Sequence, residues 1–74
     1  MALVINIEKG FKNRHRIQKK TECSYFIVHD GGKKYLQLET TGSEDRQMVG
    51  KVSQTIQFSP EAIKQLKELL SKEF

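Results

Sequence analysis

The sequence predicts an α+β domain: an antiparallel sheet of about four strands, followed by one C-terminal amphipathic helix. Three observations lead there. A capped apolar stripe closes the chain from Ser59 onward. A glycine pair, Gly31-Gly32, separates two β-favouring segments. The 74-residue length allows one domain with little core of its own, so burial against a second copy is expected.

The helix is announced by its own start signal. Ser59 stands where an N-cap belongs, Pro60 at the first helical position and Glu61 in the first turn, near the positive end of the dipole. Phe58 and Ile63 have the spacing of a hydrophobic staple. Ala62, Ile63, Leu66, Leu69, Leu70 and Phe74 then recur at three- and four-residue intervals, a stripe expected to pack on the sheet. Lys64, Lys67, Glu68, Lys72 and Glu73 lie largely off it.

Three upstream segments read as strands. Val52, Ile56 and Phe58 alternate with Lys51, Ser53, Thr55 and Gln57, and Leu36 and Leu38 alternate with Tyr35, Gln37 and Glu39. Ser24 to Val28 is apolar on both faces, which suits a central strand or one covered by a second subunit. Asp30-Gly31-Gly32-Lys33 is a hairpin turn, because glycine accepts positive φ without a steric cost. A fourth strand is expected at Leu3 to Ile7, with Leu3, Ile5 and Ile7 on one side. Residues 1–20 as a whole read as a basic N-terminal arm or first strand, and Gly42 to Gly50 as a long polar connection.

Charge is unevenly placed. Residues 1–34 hold eight Lys/Arg against Glu8, Glu22 and Asp30, whereas residues 35–74 hold five against six acids. The net charge of +4 is therefore a property of the arm and the hairpin, an asymmetry that favours a polyanionic partner. No apolar run reaches the length of a membrane span or signal peptide, and the single Cys23 cannot form an internal disulfide. An intracellular protein, cytoplasmic or nucleoid-associated, is the expectation.

Alternation dictates the sheet's outer surface. If Leu36, Leu38, Val52, Ile56 and Phe58 point at the helix, then Tyr35, Gln37, Lys51, Ser53, Thr55 and Gln57 point away. Either Tyr25 and Ile27 or Phe26 and Val28 join that outer row. Aromatic rings there would stack on unpaired bases while lysines neutralise phosphates. The candidate nucleic-acid-binding set is Lys33, Lys34, Tyr35, Gln37, Arg46, Lys51, Ser53 and Tyr25, with Arg14 and Arg16 from the arm. Duplex readers more often insert a helix into the major groove, and the helix here carries little basic excess.

The order Asp30-Gly31-Gly32-Lys33, the Leu36/Leu38 strand, Gly42-Ser43-Glu44-Asp45-Arg46, Gly50-Lys51, the Ile56 strand and Ser59-Pro60-Glu61 before Gln65-Leu66-Lys67 resembles the C-terminal domain of transcriptional positive cofactor four. The resemblance covers about residues 24–72 as order and spacing of elements. It implies a transcription-coactivator-like homodimer that binds single-stranded DNA on a curved antiparallel sheet, with Lys33 and Lys51 at the phosphate backbone. The chain departs from the family pattern at Val49, where the family has proline, and at Glu39, where it usually has a basic residue. The family's stacking tryptophan has no counterpart, so Tyr35 or an aromatic of the preceding strand would take its place.

Catalysis is not expected. Cys23 has no base beside it in sequence, Cys23, His15 and His29 lack paired zinc-ligand spacing, and Glu44 and Asp45 are adjacent rather than opposed. Gly31-Gly32 lacks the rest of any nucleotide-binding motif, so no cofactor is expected. The competing readings are an RNA-binding protein and an interaction module for an acidic protein partner.

Overall fold

The computed structural model describes residues 1–12, 14–41, 52 and 54–74. In chain order they form β1 (Ala2–Val4), β2 (Cys23–Asp30), β3 (Lys33–Thr40), β4 (Gln54–Phe58) and α1 (Pro60–Glu73). The strands make a single sheet in the order β1-β4-β3-β2. The α+β class, the four strands and the C-terminal helix are as the sequence predicts. Gly42 to Gly50, the predicted long connection, lies outside the described residues.

The hairpin sets the geometry of everything after it. Gly31 and Gly32 have φ of 57° and 75°, the paired left-handed conformations of a two-residue turn whose twist matches the flanking strands. Asp30 therefore faces Lys33, and the antiparallel register runs on through Val28↔Tyr35, Phe26↔Gln37 and Tyr25↔Leu38 to Cys23↔Thr40. The backbone N–H of Thr41 donates to the Glu22 carbonyl at 3.3 Å and carries the pairing one step further. On its other side β3 pairs antiparallel with β4, Leu36 opposite Phe58 and Leu38 opposite Ile56.

The first strand differs from its prediction in two respects. It runs parallel to β4, with Ala2, Leu3 and Val4 opposite Ile56, Gln57 and Phe58, so the sheet is mixed rather than wholly antiparallel. Only a hairpin forces antiparallel pairing on neighbours, and β1 and β4 are not consecutive. It also ends at Val4 instead of continuing to Ile7. A strand extends only as far as its neighbour, and β4 stops at Phe58, where the Ser59 N–H donates to the Val4 carbonyl at 2.9 Å. Beyond that point the chain turns to α1. The Ile7 N–H donates to Gln65 Oε1 at 2.7 Å, and Gln65 Nε2 donates to Asn6 Oδ1 at 2.8 Å. Of residues 5–22 those described have no regular secondary structure, so the basic segment is an arm and not a strand.

Paired residues share a face, which sorts the sheet into two surfaces. Ala2, Val4, Tyr25, Ile27, Leu36, Leu38, Ile56 and Phe58 form the inner face. Helix α1 lies over β3 and β4 on that side, where Ile63 and Lys67 line a groove together with Ile27 and Leu36. Ser59 caps α1 as predicted, its hydroxyl accepting from the Ala62 N–H at 3.2 Å. Ala62 is fully buried, its small side chain allowing the first turn of α1 to approach the sheet closely. Farther along, the stripe runs out of sheet: Leu69 and Leu70 are exposed and Phe74 is 95% exposed. Among the described residues no large side chain is fully buried.

Since Ser59 satisfies an otherwise unpaired helix amide in a buried position, Ser59→Ala is expected to lower unfolding stability by about 1 kcal/mol. Urea titration followed by far-UV circular dichroism measures it, with the midpoint falling and the slope unchanged.

Candidate nucleic-acid interface

The surface away from α1 is the candidate site. Its central row is Tyr35, Gln37 and Glu39 of β3, flanked by Gln57 and Thr55 of β4. Phe26 and Val28 of β2 lie on one side, and Leu3 of β1 on the other. Tyr35, Gln37, Thr55 and Gln57 thus face away from the helix, as alternation predicts. The choice left open for β2 falls to Phe26 and Val28. Phe26, opposite Gln37 and 46% exposed, is diagonal to Tyr35 and shares its surface.

A chain of amide hydrogen bonds crosses this face. Gln57 Nε2 donates to Gln37 Oε1 at 2.8 Å, and Gln37 Nε2 donates to Glu39 Oε2 at 2.6 Å. All three residues sit in register across β3 and β4 or two positions apart on β3, so alternation brings them together. Gln37 is committed in both directions within this chain, its oxygen accepting and its nitrogen donating. The aromatic pair and the unused polar atoms of Gln57 and Thr55 are what the surface offers to a ligand.

The structure divides the predicted site set. Lys33 is on the outer row with Tyr35 and Gln37, but Lys34 faces His29 on the inner row with Leu36. Tyr25 is likewise on the inner face, opposite Leu38 and 70% exposed. Neither Lys34 nor Tyr25 joins the outer platform, because successive side chains of a strand point to opposite sides. Of the two hairpin lysines, only Lys33 is in register with the outer row. Arg14 and Arg16 are exposed in the irregular arm. Arg46, Lys51 and Ser53 lie outside the described residues.

Phe26 is the residue that reading the sequence left unassigned. The signal was present: a two-residue glycine turn places Asp30 against Lys33, and counting back by pairs puts Phe26 on the side of Tyr35.

Lys33 and Lys34 at the hairpin end, and Lys67 from α1, line a groove of about 620 Å³ on the inner side, floored by Ile27, Leu36 and Ile63. Glu61 contributes an acid to the same groove. Among the described residues no group of three or more His, Cys, Asp or Glu is placed to hold a metal ion, and Cys23 is a free, exposed thiol. No described helix is long and apolar enough to cross a membrane.

No protein-family model, curated protein or solved structure matches the chain.

Replacing Gln37 by alanine leaves the Glu39 and Gln57 groups without their partner and is expected to cost about 1 kcal/mol in urea titrations. Gln37→Glu sets two carboxylates side by side and is expected to destabilise the fold further, the added loss shrinking as salt is raised.

Proposed function

We propose that the chain binds single-stranded DNA, largely without sequence preference, on the outer face of its sheet. The observation that carries this reading is the diagonal placement of Phe26 and Tyr35 on a surface that α1 leaves uncovered, with Lys33 at its hairpin end. Aromatic faces stack on any base, and each stacked base is worth about 1–3 kcal/mol. Thr55 and Gln57 beside them supply hydroxyl and amide groups for the sugar–phosphate chain. Phosphate neutralisation falls mainly to Lys33 and to the exposed cations of the arm: Lys9, Lys12, Arg14, Arg16, Lys19 and Lys20. Glu39 opposes it on the same face, which favours stacking over charge as the source of affinity.

Such a surface suits an unpaired strand better than a duplex, whose bases are not free to stack on side chains. It does not read the sugar, so RNA is the nearest alternative ligand. The chain acts without a cofactor or a catalytic step, as a homodimer and an intracellular accessory factor of transcription, replication or repair. The resemblance to positive cofactor four supports the same reading. A second reading, capture of an acidic and partly apolar protein segment, is favoured by the groove that Lys33, Lys34 and Lys67 line above Ile27, Leu36 and Ile63.

Fluorescence anisotropy with a labelled oligothymidylate and a duplex of equal length tests the proposal. Tighter binding to the single strand is expected at equal salt; equal or tighter duplex binding rejects the stacking platform. Phe26→Ala and Tyr35→Ala are each expected to weaken single-strand binding by about 1–3 kcal/mol with little change in its salt dependence. Arg14→Ala with Arg16→Ala is expected to act the other way, reducing the salt slope by about 0.7 for each phosphate no longer neutralised.

A further inference from the structure

The outer edge of the sheet is an unprotected strand. Among the described residues β2, eight residues long, lies at the end of the strand order and pairs on one side only. Natural edges are usually blunted by proline, lysine, a bulge or a covering segment. Between Cys23 and Asp30 there is neither proline nor lysine, and the pairing with β3 is continuous, without a bulge. The strand is instead apolar on both sides at once: Tyr25 and Ile27 are 70% and 57% exposed on the inner face, and Phe26 is exposed on the outer one.

The direction of its free backbone groups follows from the turn. In a two-residue hairpin the residues flanking the turn form a hydrogen-bonded pair, so Asp30 and every second residue before it bond to β3. The Thr41 to Glu22 bond at the far end keeps the same phase. Cys23, Tyr25, Ile27 and His29 therefore direct their N–H and C=O groups outward, a row of donors and acceptors with no strand of the described residues beside it.

We propose that β2 pairs antiparallel with β2 of a second copy of this chain, about a two-fold axis at Phe26 perpendicular to the sheet. This refines the homodimer reading above and rests on it. With Phe26 opposite its own counterpart, Tyr25 meets Ile27, Ser24 meets Val28 and Cys23 meets His29. The outward-bonding residues all fall in hydrogen-bonded pairs, on the order of eight bonds across the dyad. Apolar side chains meet apolar ones beside the axis on both faces, the self-complementarity a two-fold interface requires.

The make-up of the edge supports a second copy as the occupant. Tyr25, Phe26 and Ile27 are 70%, 46% and 57% exposed in consecutive positions, and a two-fold axis sets this apolar run against itself, as an isologous interface requires. The arm does not serve instead, since its apolar residues Phe11 and Ile17 are themselves exposed and the rest is mostly polar or basic. An axis perpendicular to the sheet keeps both outer faces on one side. The Phe26–Tyr35 platforms then join into one surface, with the two Phe26 rings at its centre.

Sedimentation velocity and disulfide trapping test the pairing. The full chain is expected to sediment as a dimer, twice the 8.6 kDa of one copy. In a Cys23→Ser background, Phe26→Cys is expected to give a covalent dimer under mild oxidation, because facing non-hydrogen-bonded residues sit about 4.5 Å apart at Cα, within disulfide reach. Leu70→Cys in the same background, on the exposed end of α1, is expected to remain largely uncrosslinked. Ile27→Pro removes an outward N–H without touching the β3 ladder, and Tyr25→Lys places a charge at the edge. Both are expected to yield folded monomers by circular dichroism and sedimentation. A wild-type dimer that survives both substitutions and crosslinks through Leu70→Cys but not Phe26→Cys overturns the edge pairing while leaving a homodimer in place. A wild-type monomer overturns both. Single-strand affinity, measured separately on each variant, reports on the platform whatever the outcome of the pairing.

Discussion

The two-glycine turn between β2 and β3 is the constraint from which the arrangement of the sheet follows. With Gly31 and Gly32 both at positive φ, the loop can hold only two residues, and Asp30 must face Lys33. Because side chains alternate with a period of two, that one pairing assigns every residue of β2 and β3 to a face. A shift of one residue would have brought Tyr25 beside Tyr35 and sent Phe26 under the helix. The composition of the candidate interface is in this sense a property of the turn.

A second constraint is the shortage of material to cover the sheet. One fourteen-residue helix lies over β3 and β4, and its apolar stripe continues past the point where there is sheet beneath it. The inner face remains open on both sides of the helix, at Ile27 and Leu36 toward the hairpin and at Ala2, Leu38 and Ile56 toward the far end. A small domain in this position has too little internal burial to rely on its own core. In the proposed dimer, association and binding are linked physically, because the same strand that supplies Phe26 to the outer face also presents the bare edge.

The polar chain Gln57–Gln37–Glu39 gives the outer face a different character from a simple cationic groove. It fixes the side chains of the central strand and holds a carboxylate among them. In the proposed single-strand complex, affinity would come from stacking on the aromatic pair and from cations at the periphery, Lys33 and the arm. The separation of Lys33 from Lys34 by the pleat has the same effect, leaving only one of them on the outer row.

Much of this was legible in the sequence, for local reasons. The helix start at Ser59-Pro60, the hairpin at Gly31-Gly32 and the alternation of Tyr35, Gln37, Thr55 and Gln57 depend on neighbours within a few residues. The placement of Phe26 was legible too, through the turn register. Residues far apart in the chain decided the rest. That β1 runs parallel to β4 and stops at Val4 depends on where β4 ends and on Gln65 of the helix bonding to Asn6 and Ile7. That the helical stripe is buried at Ala62 but bare at Phe74 depends on how far the sheet extends beneath it. The sequence by itself determined which residues alternate and where the backbone turns, since sterics and hydrogen bonding act there at short range. Only the tertiary structure decided which face was covered, because that choice balances burial against the reach of one short helix.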